Sequence, residues 1–181
     1  MDPLLAALLT RQRDRGFSDF AGASAVLTLP IADRLLNDAM TEALPPSAPV
    51  RDVQLTSRSG NRIGVRFRIG AASFLPPFNL TLVIERQPDL PRSAVLVLRM
   101  EMGGLLSLAG PALRFLDALP PGVQVEKDLI LVDLATLLAQ RGLGELLEYA
   151  EEVQVTTTEG SLVVGLRAHV PGPERRTGHE G

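Results

Sequence analysis

The sequence predicts an α+β fold in which most strands are antiparallel. Residues 31–44 repeat apolar side chains with the 3.6-residue period of a helix, whereas residues 50–102 and 152–170 alternate with the two-residue period of strands. Strands follow one another along the chain instead of alternating with helices. That order is typical of α+β proteins and not of doubly wound parallel sheets.

The composition indicates one domain with an aliphatic core. The chain has 181 residues, which is enough for one sizeable core. Hydrophobic residues make up 45% of the chain but aromatic residues only 4%, with no Trp and a single Tyr. Leu, Val and Ala, with a few Phe and Met, must therefore fill the interior.

Charge and cysteine content exclude several classes of function. The net charge of −3 gives no overall attraction to nucleic acid, so we expect no nucleic-acid partner. The absence of Cys excludes disulfides, thiolate catalysis and Cys-based metal sites. The N-terminal apolar run, 3–9, is far shorter than the roughly 20 residues of a membrane span and lacks the features of a signal peptide. We therefore expect a cytoplasmic protein.

The N-terminal part of the chain combines helices with one strand. Residues 3–12 are predicted to form a short amphipathic helix, 22–30 a strand, and 31–44 (IADRLLNDAMTEAL) a longer helix. Pro45 and Pro46 end the longer helix. Its apolar positions follow the helical period and are Ile31, Leu35, Leu36, Met40, Ala43 and Leu44.

Four strands are predicted between residues 50 and 102. VRDVQLTS and RIGVRFRIG flank the turn RSGN and form a hairpin. FNLTLVIE (78–85) and SAVLVLRMEM (93–102) continue the hairpin as an antiparallel meander. Because alternate residues are apolar on each strand, one face of the sheet is expected to be buried and the other mostly polar.

The rest of the chain mixes helical and strand patterns. Residues 103–120 have helical spacing, and 123–134 read as a strand or a tight strand pair. Asp133 can cap the helix that follows it, and a hairpin over 152–170 closes the fold.

These elements divide the chain into three parts. We expect residues 1–21 to form an N-terminal amphipathic helix with a linker, and 22–170 to form a single α+β domain. Residues 171–181 are expected to be a disordered tail, because they offer nothing to bury.

Catalytic and metal-binding motifs are missing from the sequence. The sequence has two histidines, His169 and His179. It contains neither a Gly-x-Ser-x-Gly nucleophile elbow nor a Gly-rich phosphate loop. Paired carboxylates alone can catalyse glycoside hydrolysis, and the candidates here are Glu101, Glu148, Glu151 and Glu152. Glu151 and Glu152 fall just before a strand, where acidic residues usually lie in water. We therefore expect no enzymatic activity, no catalytic residue, no metal and no cofactor.

Three arginines, Arg62, Arg66 and Arg68, lie on one side of the third predicted strand. Two readings of this arginine stripe stay open. In the first, the arginines form cross-strand ion pairs and keep an outer face hydrated. In the second, they bind an anionic headgroup such as a lipid phosphate. The candidate partners for the first reading are Asp52, Glu85 and Glu101.

Three stretches of the chain resemble the tubular lipid-binding (TULIP) superfamily, in particular its small bacterial single-domain members. LTLPIADRLLNDAM (27–40) is similar to the family's strand and long helix with a central Asn, and VQLTSRSGNRIGVRFRI (53–69) to the hairpin that follows. The third stretch, 96–138, is LVLRMEMGGLLSLAGPALRFLDALPPGVQVEKDLILVDLATLL. The resemblance implies a TULIP-like half-tube over residues 22–170, a curved, mainly antiparallel sheet wrapped around a long helix. It also implies acyl chains between helix and sheet, and no catalysis.

With helix and sheet facing each other in this way, the two periods predict which side chains line the groove. From the helix they are Leu35, Leu36 and Met40, and from the sheet Ile63, Val65, Phe67, Phe78, Leu80, Leu82, Leu96, Leu98 and Met100. The expected function is binding or carriage of a lipid, a fatty-acid-like molecule or another long apolar ligand.

A second hypothesis is a structural or interaction module whose core is filled. Such a module would act through its N-terminal helix, an edge strand or homodimerisation. Its partners would be a second copy of the chain or a membrane surface that the Leu-rich N-terminal helix contacts.

Overall fold

Two antiparallel sheets and two short α-helices make up the part of the chain that the computed structural model describes, namely residues 15, 17–44, 48, 50–70, 76–101 and 121–172. Of these residues 55% lie in strands and 21% in helices. The strands of the described ranges are β1 (Ser24–Ala32), β2 (Val50–Arg58), β3 (Arg62–Ile69), β4 (Phe78–Arg86), β5 (Val95–Glu101), β6 (Val123–Glu126), β7 (Leu129–Asp133), β8 (Ala150–Thr158) and β9 (Ser161–His169).

The helices are short, and each α-helix follows a strand directly. Helix α1 (Asp33–Ala43) has 11 residues and helix α2 (Leu134–Gln140) has 7. Ser18–Phe20 and Gly144–Glu148 form 3-10 helices.

Asp133 begins α2 as its N-cap, as the sequence predicts. Its carboxylate accepts hydrogen bonds from the backbone N–H groups of Ala135 and Thr136, at 2.9 and 3.3 Å. The Thr136 hydroxyl donates a further bond to it at 2.7 Å. These bonds, with the hydroxyl's the strongest, hold the pKa of Asp133 below its usual range.

Six strands form the larger sheet, in the order β2-β3-β4-β5-β7-β6. The predicted meander from β2 to β5 is confirmed, and 123–134 is the tight strand pair β6–β7. A bulge interrupts β2 where Asp52, with φ of 54°, and Val53 together oppose the single residue Phe67.

The smaller sheet joins strands from opposite ends of the described chain, in the order β1-β9-β8. β8 and β9 are the predicted closing hairpin. The pairing of β1 with β9 runs without a shift from Ser24 opposite His169 to Ala32 opposite Ser161. β1 is therefore an edge strand of this sheet.

The core lies where the two sheets face each other. It is aliphatic, as the composition predicts, and Leu134 at the start of α2 packs against it. The buried residues of this core cluster are Ile84, Leu96 and Leu98 from the larger sheet and Ala150, Val153 and Val155 from the smaller one.

The predicted half-tube, one curved sheet wrapped around a long helix, is wrong. There are two sheets, and α1 lies along the edge of β2, where Asp33 and Asn37 hydrogen-bond to its backbone. The alternating pattern could not reveal this, because a two-residue period gives the face of a strand but not its distant partner. The α+β class and the antiparallel pairing are confirmed.

Two further predictions are adjusted or left open by the structure. The predicted helix 31–44 begins at Asp33, because Ile31 and Ala32 complete β1. The predicted helices 3–12 and 103–120 lie outside the described residues. None of the helices in the described ranges is long and apolar enough to cross a membrane.

Candidate functional site

One face of the larger sheet is continuously apolar from β3 to β5. In antiparallel pairs, residues directly opposite each other point to the same face. The opposite pairs on this face are Ile63 with Leu82, Val65 with Leu80, Phe67 with Phe78, Leu82 with Met100, and Ile84 with Leu98. All nine predicted strand residues of the site therefore share one face.

The two halves of this face differ in what covers them. Leu82, Leu96 and Leu98 belong to the core against the smaller sheet. The other half is outside that cluster and only half-buried, and we call it the open apolar strip. It consists of Ile63, Val65, Phe67, Phe78, Leu80 and Met100.

Two phenylalanines lie at one end of the open apolar strip. The rings of Phe67 and Phe78 stack with centroids 5.6 Å apart and an interplanar angle of 18°. The aromatic faces and the neighbouring aliphatic side chains of Val65 and Leu80 form a surface with no hydrogen-bonding side-chain group. Leu55 extends it on β2, opposite Val65. The sequence analysis missed Leu55, although the hairpin register about the RSGN turn implies it.

The helix residues predicted for the site divide into two groups. Leu36 and Met40, one helical turn apart, are half-buried. Leu35 is 61% exposed and points away from the sheet. Two hydrogen bonds join the Asn37 side chain to the Leu55 backbone, and we call this contact the Asn37 clasp. It fixes this orientation, because it turns one side of α1 towards the β2 edge. Only Leu36 and Met40 are therefore placed to extend the open apolar strip.

The predicted arginine stripe lies on the opposite face of the larger sheet. Arg62, Arg66 and Arg68 are exposed, and Arg68 pairs with Asp52 at 3.8 Å. In the described part of the chain, neither Arg62 nor Arg66 has an ion pair.

Glu85, one predicted partner of the stripe, instead binds Arg99. Two hydrogen bonds of 2.6 and 2.8 Å join the Arg99 guanidinium to the Glu85 carboxylate. This bidentate contact lowers the pKa of Glu85 and raises the pKa of Arg99. Glu85 is therefore engaged by Arg99 and pairs with none of the three stripe arginines.

Two arginines that the sequence analysis missed enlarge the stripe. Arg58 lies opposite Arg62, and Arg51 lies opposite Arg68. The position of Arg58 follows from the hairpin register, whereas that of Arg51 depends on the bulge, which no local pattern predicts. Two polar troughs of about 820 and 430 Å³ cross this face, and Arg66 lines both.

The placement of the two faces limits what one ligand can contact. A strand directs alternate side chains to opposite faces, so the arginine stripe and the open apolar strip lie on opposite sides of the sheet. On the β2 edge, α1 closes the short route between them. A lipid that contacts both surfaces would have to reach around the sheet, and headgroup binding by Arg62, Arg66 and Arg68 stays a prediction.

No group of three or more His, Asp or Glu side chains in the described ranges can hold a metal ion. His169 contacts Ser24 Oγ through Nδ1 at 2.9 Å, at an exposed position in the smaller sheet. This contact lies in neither the strip nor the troughs.

Comparison with protein-family models, with curated proteins and with solved structures found no match for this chain. The resemblance to the TULIP superfamily therefore stays a prediction.

Proposed function

We propose that this protein binds a lipid or another long apolar ligand, without catalysis, on the open apolar strip. One observation carries the proposal. The strip continues the face that forms the core, yet its side chains stay half-buried and outside the core cluster. A contiguous apolar surface of this kind on a small protein commonly marks a binding site.

The shape and chemistry of the strip favour a chain rather than a compact polar molecule. The cross-strand pairs from Phe67–Phe78 through Val65–Leu80 to Ile63–Leu82 form a row that crosses no charged side chain. Each buried methylene contributes about 0.8 kcal/mol, so covering roughly eight of them gives about 6 kcal/mol before the entropic losses of binding. Without those losses, this free energy corresponds to a dissociation constant of tens of micromolar.

The resemblance to lipid-binding modules agrees with this proposal, although the groove differs from the one that the family implies. The ligand lies against a sheet face whose far half is the protein core, and α1 flanks it with Leu36 and Met40. The proposal involves no reaction and therefore no catalytic residue.

Titration with an anthroyloxy-labelled stearic acid tests the proposal. The full chain is expected to enhance the probe's fluorescence saturably, with a midpoint at tens of micromolar or above. Val65→Asp places a carboxylate in the middle of the strip and is expected to abolish the enhancement.

Val83→Asp is the matched control for that substitution. Val83 lies on the same sheet but on the other face, opposite Arg62 and Arg99, which accommodate a carboxylate. Val83→Asp is expected to bind the probe like the unaltered chain. No enhancement by the unaltered chain, or equal loss in both folded variants, would overturn the proposal and favour a module with a filled core.

A further inference from the structure

Two of the sheet edges in the described residues are covered by side chains that bond to the backbone. On the outer side of β2, the Asn37 amide donates to the Leu55 carbonyl at 3.0 Å and accepts from the Leu55 N–H at 2.7 Å. One helical turn earlier, Asp33 accepts from the Ser57 N–H at 2.8 Å. Helix α1 thus occupies the bonds that a neighbouring strand would otherwise take.

The edge of β8 is covered in the same way. The Gln87 amide donates to the Val155 carbonyl at 2.7 Å and accepts from the Val155 N–H at 2.8 Å. Two residues further along β8, the Thr157 N–H donates to the Asn61 side chain at 3.4 Å. These contacts also tie the smaller sheet to the larger one.

The outer edge of β1 has no comparable cover in the described part of the chain. The direction of its backbone groups follows from the two ends of its pairing with β9. Asp33 N–H donates to Gly160 O at 3.0 Å, and Val170 N–H donates to Ala23 O at 2.9 Å. Odd-numbered residues between them therefore bond to β9, and the even-numbered ones turn outwards. The outward residues are Ser24, Val26, Thr28, Pro30 and Ala32, the last of which leads directly into α1.

Apart from Pro30 towards its C-terminal end, this edge lacks the devices that usually protect a free strand. No charged residue occurs from Ala21 to Ala32. Val26 is 77% exposed, Leu27 51% and Leu29 48%. The pairing with β9 contains no bulge. A long, regular, apolar edge of this kind is a template for another strand.

We propose that β1 pairs antiparallel with β1 of a second copy of this chain, with the two-fold axis at Val26. Between Gly22 and Pro30 the outward N–H donors are Ser24, Val26 and Thr28. They are symmetric about Val26, so each finds an outward carbonyl on the second copy. Val26 then pairs with Val26 of the second copy, and Ser24 with Thr28 of the second copy. A two-fold interface requires this self-complementarity.

The ends of the same register are also matched. Pro30 would lie opposite Gly22 of the second copy. Pro30 has no N–H, and the Gly22 N–H already donates to Val170 O at 2.8 Å. Neither residue therefore contributes an unpaired donor. The missing donor of Pro30 costs nothing within the subunit, because this side of β1 faces away from β9.

A second copy fits this edge better than an unrelated strand for two reasons. The uncharged segment brings two copies together without repulsion. Antiparallel pairing also brings the segment with Phe20, which precedes β1, to the same end as the partner's α1, which carries Leu35. Phe20 is 42% exposed and Leu35 61%. The product is one six-stranded sheet, β8-β9-β1-β1-β9-β8, shared by two subunits.

Light scattering coupled to size-exclusion chromatography, at a series of concentrations, tests the proposal first. The unaltered chain is expected to run as a dimer that does not grow further. Thr28→Pro removes one outward donor, as Pro30 already does, and is expected to give a monomer. Thr28→Val keeps the N–H and is expected to stay dimeric.

Cysteine cross-linking tests the register, because the chain has no cysteine of its own. In Val26→Cys the two Cα atoms would lie about 5.5 Å apart, within reach of a disulfide. In Leu29→Cys, six positions out of register, they would lie about 20 Å apart. Oxidation is expected to cross-link most of the first variant and almost none of the second.

A chain that is monomeric at every concentration overturns the proposal, as does equal cross-linking of the two cysteine variants. Cross-linking decides the matter if Thr28→Pro does not fold. The stearic acid titration separates this proposal from ligand binding: Val65→Asp is expected to stay dimeric, and folded Thr28→Pro to keep binding the probe. Loss of dimerisation in both variants contradicts the assignment to β1.

Discussion

The two halves of the apolar face of the larger sheet have the same sequence pattern but different surroundings. Leu98 and Leu80 both belong to a series of apolar residues at every second position, and both point to this face. Leu98 is 8% exposed in the core against Val153 and Val155, whereas Leu80 is half-buried in the open apolar strip. Periodicity therefore fixes which face is apolar, and the distant partner decides which half becomes core.

The largest effect is expected from breaking the packed half. Leu98→Ala removes buried methyl groups from the contact between the two sheets and should lower the free energy of unfolding by about 3 kcal/mol. Urea denaturation monitored by circular dichroism measures this value. A loss below about 1 kcal/mol would show that the sheets do not share a core.

The second-largest effect on stability is expected from weakening the attachment of α1 beside the open half. Asn37→Ala leaves the N–H and C=O of Leu55 without their partner and should cost about 2 kcal/mol. Asp38→Ala, at the exposed neighbouring position, controls for helix propensity and should change stability by less than about 0.5 kcal/mol. Equal losses in the two variants would mean that α1 does not depend on the clasp.

The same leucine truncation in the open half sharpens the comparison. Leu80→Ala should cost only about 1 kcal/mol, because its side chain is outside the core cluster and already partly exposed to solvent. It should nevertheless weaken stearic acid binding several-fold, which Leu98→Ala would affect only through folding. A destabilisation as large as that of Leu98→Ala would place Leu80 in the core.

The stability of the fold is expected to depend on pH through Asp133, the N-cap of α2, which lies next to the packed half. Because the pKa of Asp133 is lowered in the fold, its stabilisation is present above about pH 4, the ordinary value for Asp. It is lost as the pH falls through the lower folded-state pKa.

Asp133→Ala should cost about 1 kcal/mol at neutral pH through loss of the cap. Asp133→Asn keeps a capping oxygen and should remove mainly the acid-dependent part. The measurement is the unfolding midpoint of the unaltered chain and of the two Asp133 variants between pH 2 and pH 7. If the midpoints of all three chains changed with pH in parallel, the pH dependence would not come from Asp133.

The smallest effect concerns the opposite, arginine-bearing face. Arg58 and Arg62 lie directly opposite each other, and like charges in that position are unfavourable. Arg58→Glu should stabilise the fold by about 0.5 kcal/mol at low ionic strength and less in high salt. Arg141→Glu makes the same charge change at an exposed turn and should have no such effect. A salt-independent change would exclude this explanation.

Local features of the fold could be predicted from the sequence, and long-range ones could not. Alternation and turn residues gave the hairpins, and the Asp133 cap followed from its position before a helical repeat. The pairing of β1 with β9 has no local signal, because the paired residues Ser24 and His169 are 145 positions apart. That pairing places β1 in a second sheet, and it is one reason why the predicted half-tube is wrong.

The site shows the same division. The nine strand residues share a face, because a two-residue period determines it. Which of them lie in the core depends on the smaller sheet, and the exposed position of Leu35 depends on the Asn37 clasp. Neither the packing of the two sheets nor the contact of Asn37 with Leu55 is encoded in a short stretch of sequence, because each joins residues that are well separated along the chain.

Photolabelling with a palmitic acid that carries a diazirine near its methyl end tests the central claim most directly. After irradiation of the full chain, peptide mass spectrometry should find the label on β3 and β4, at Val65, Phe67, Phe78 or Leu80. An excess of unlabelled palmitic acid should compete for this labelling. Labelling that does not saturate, or that falls on exposed apolar residues elsewhere such as Leu35 and Val26, would contradict the account.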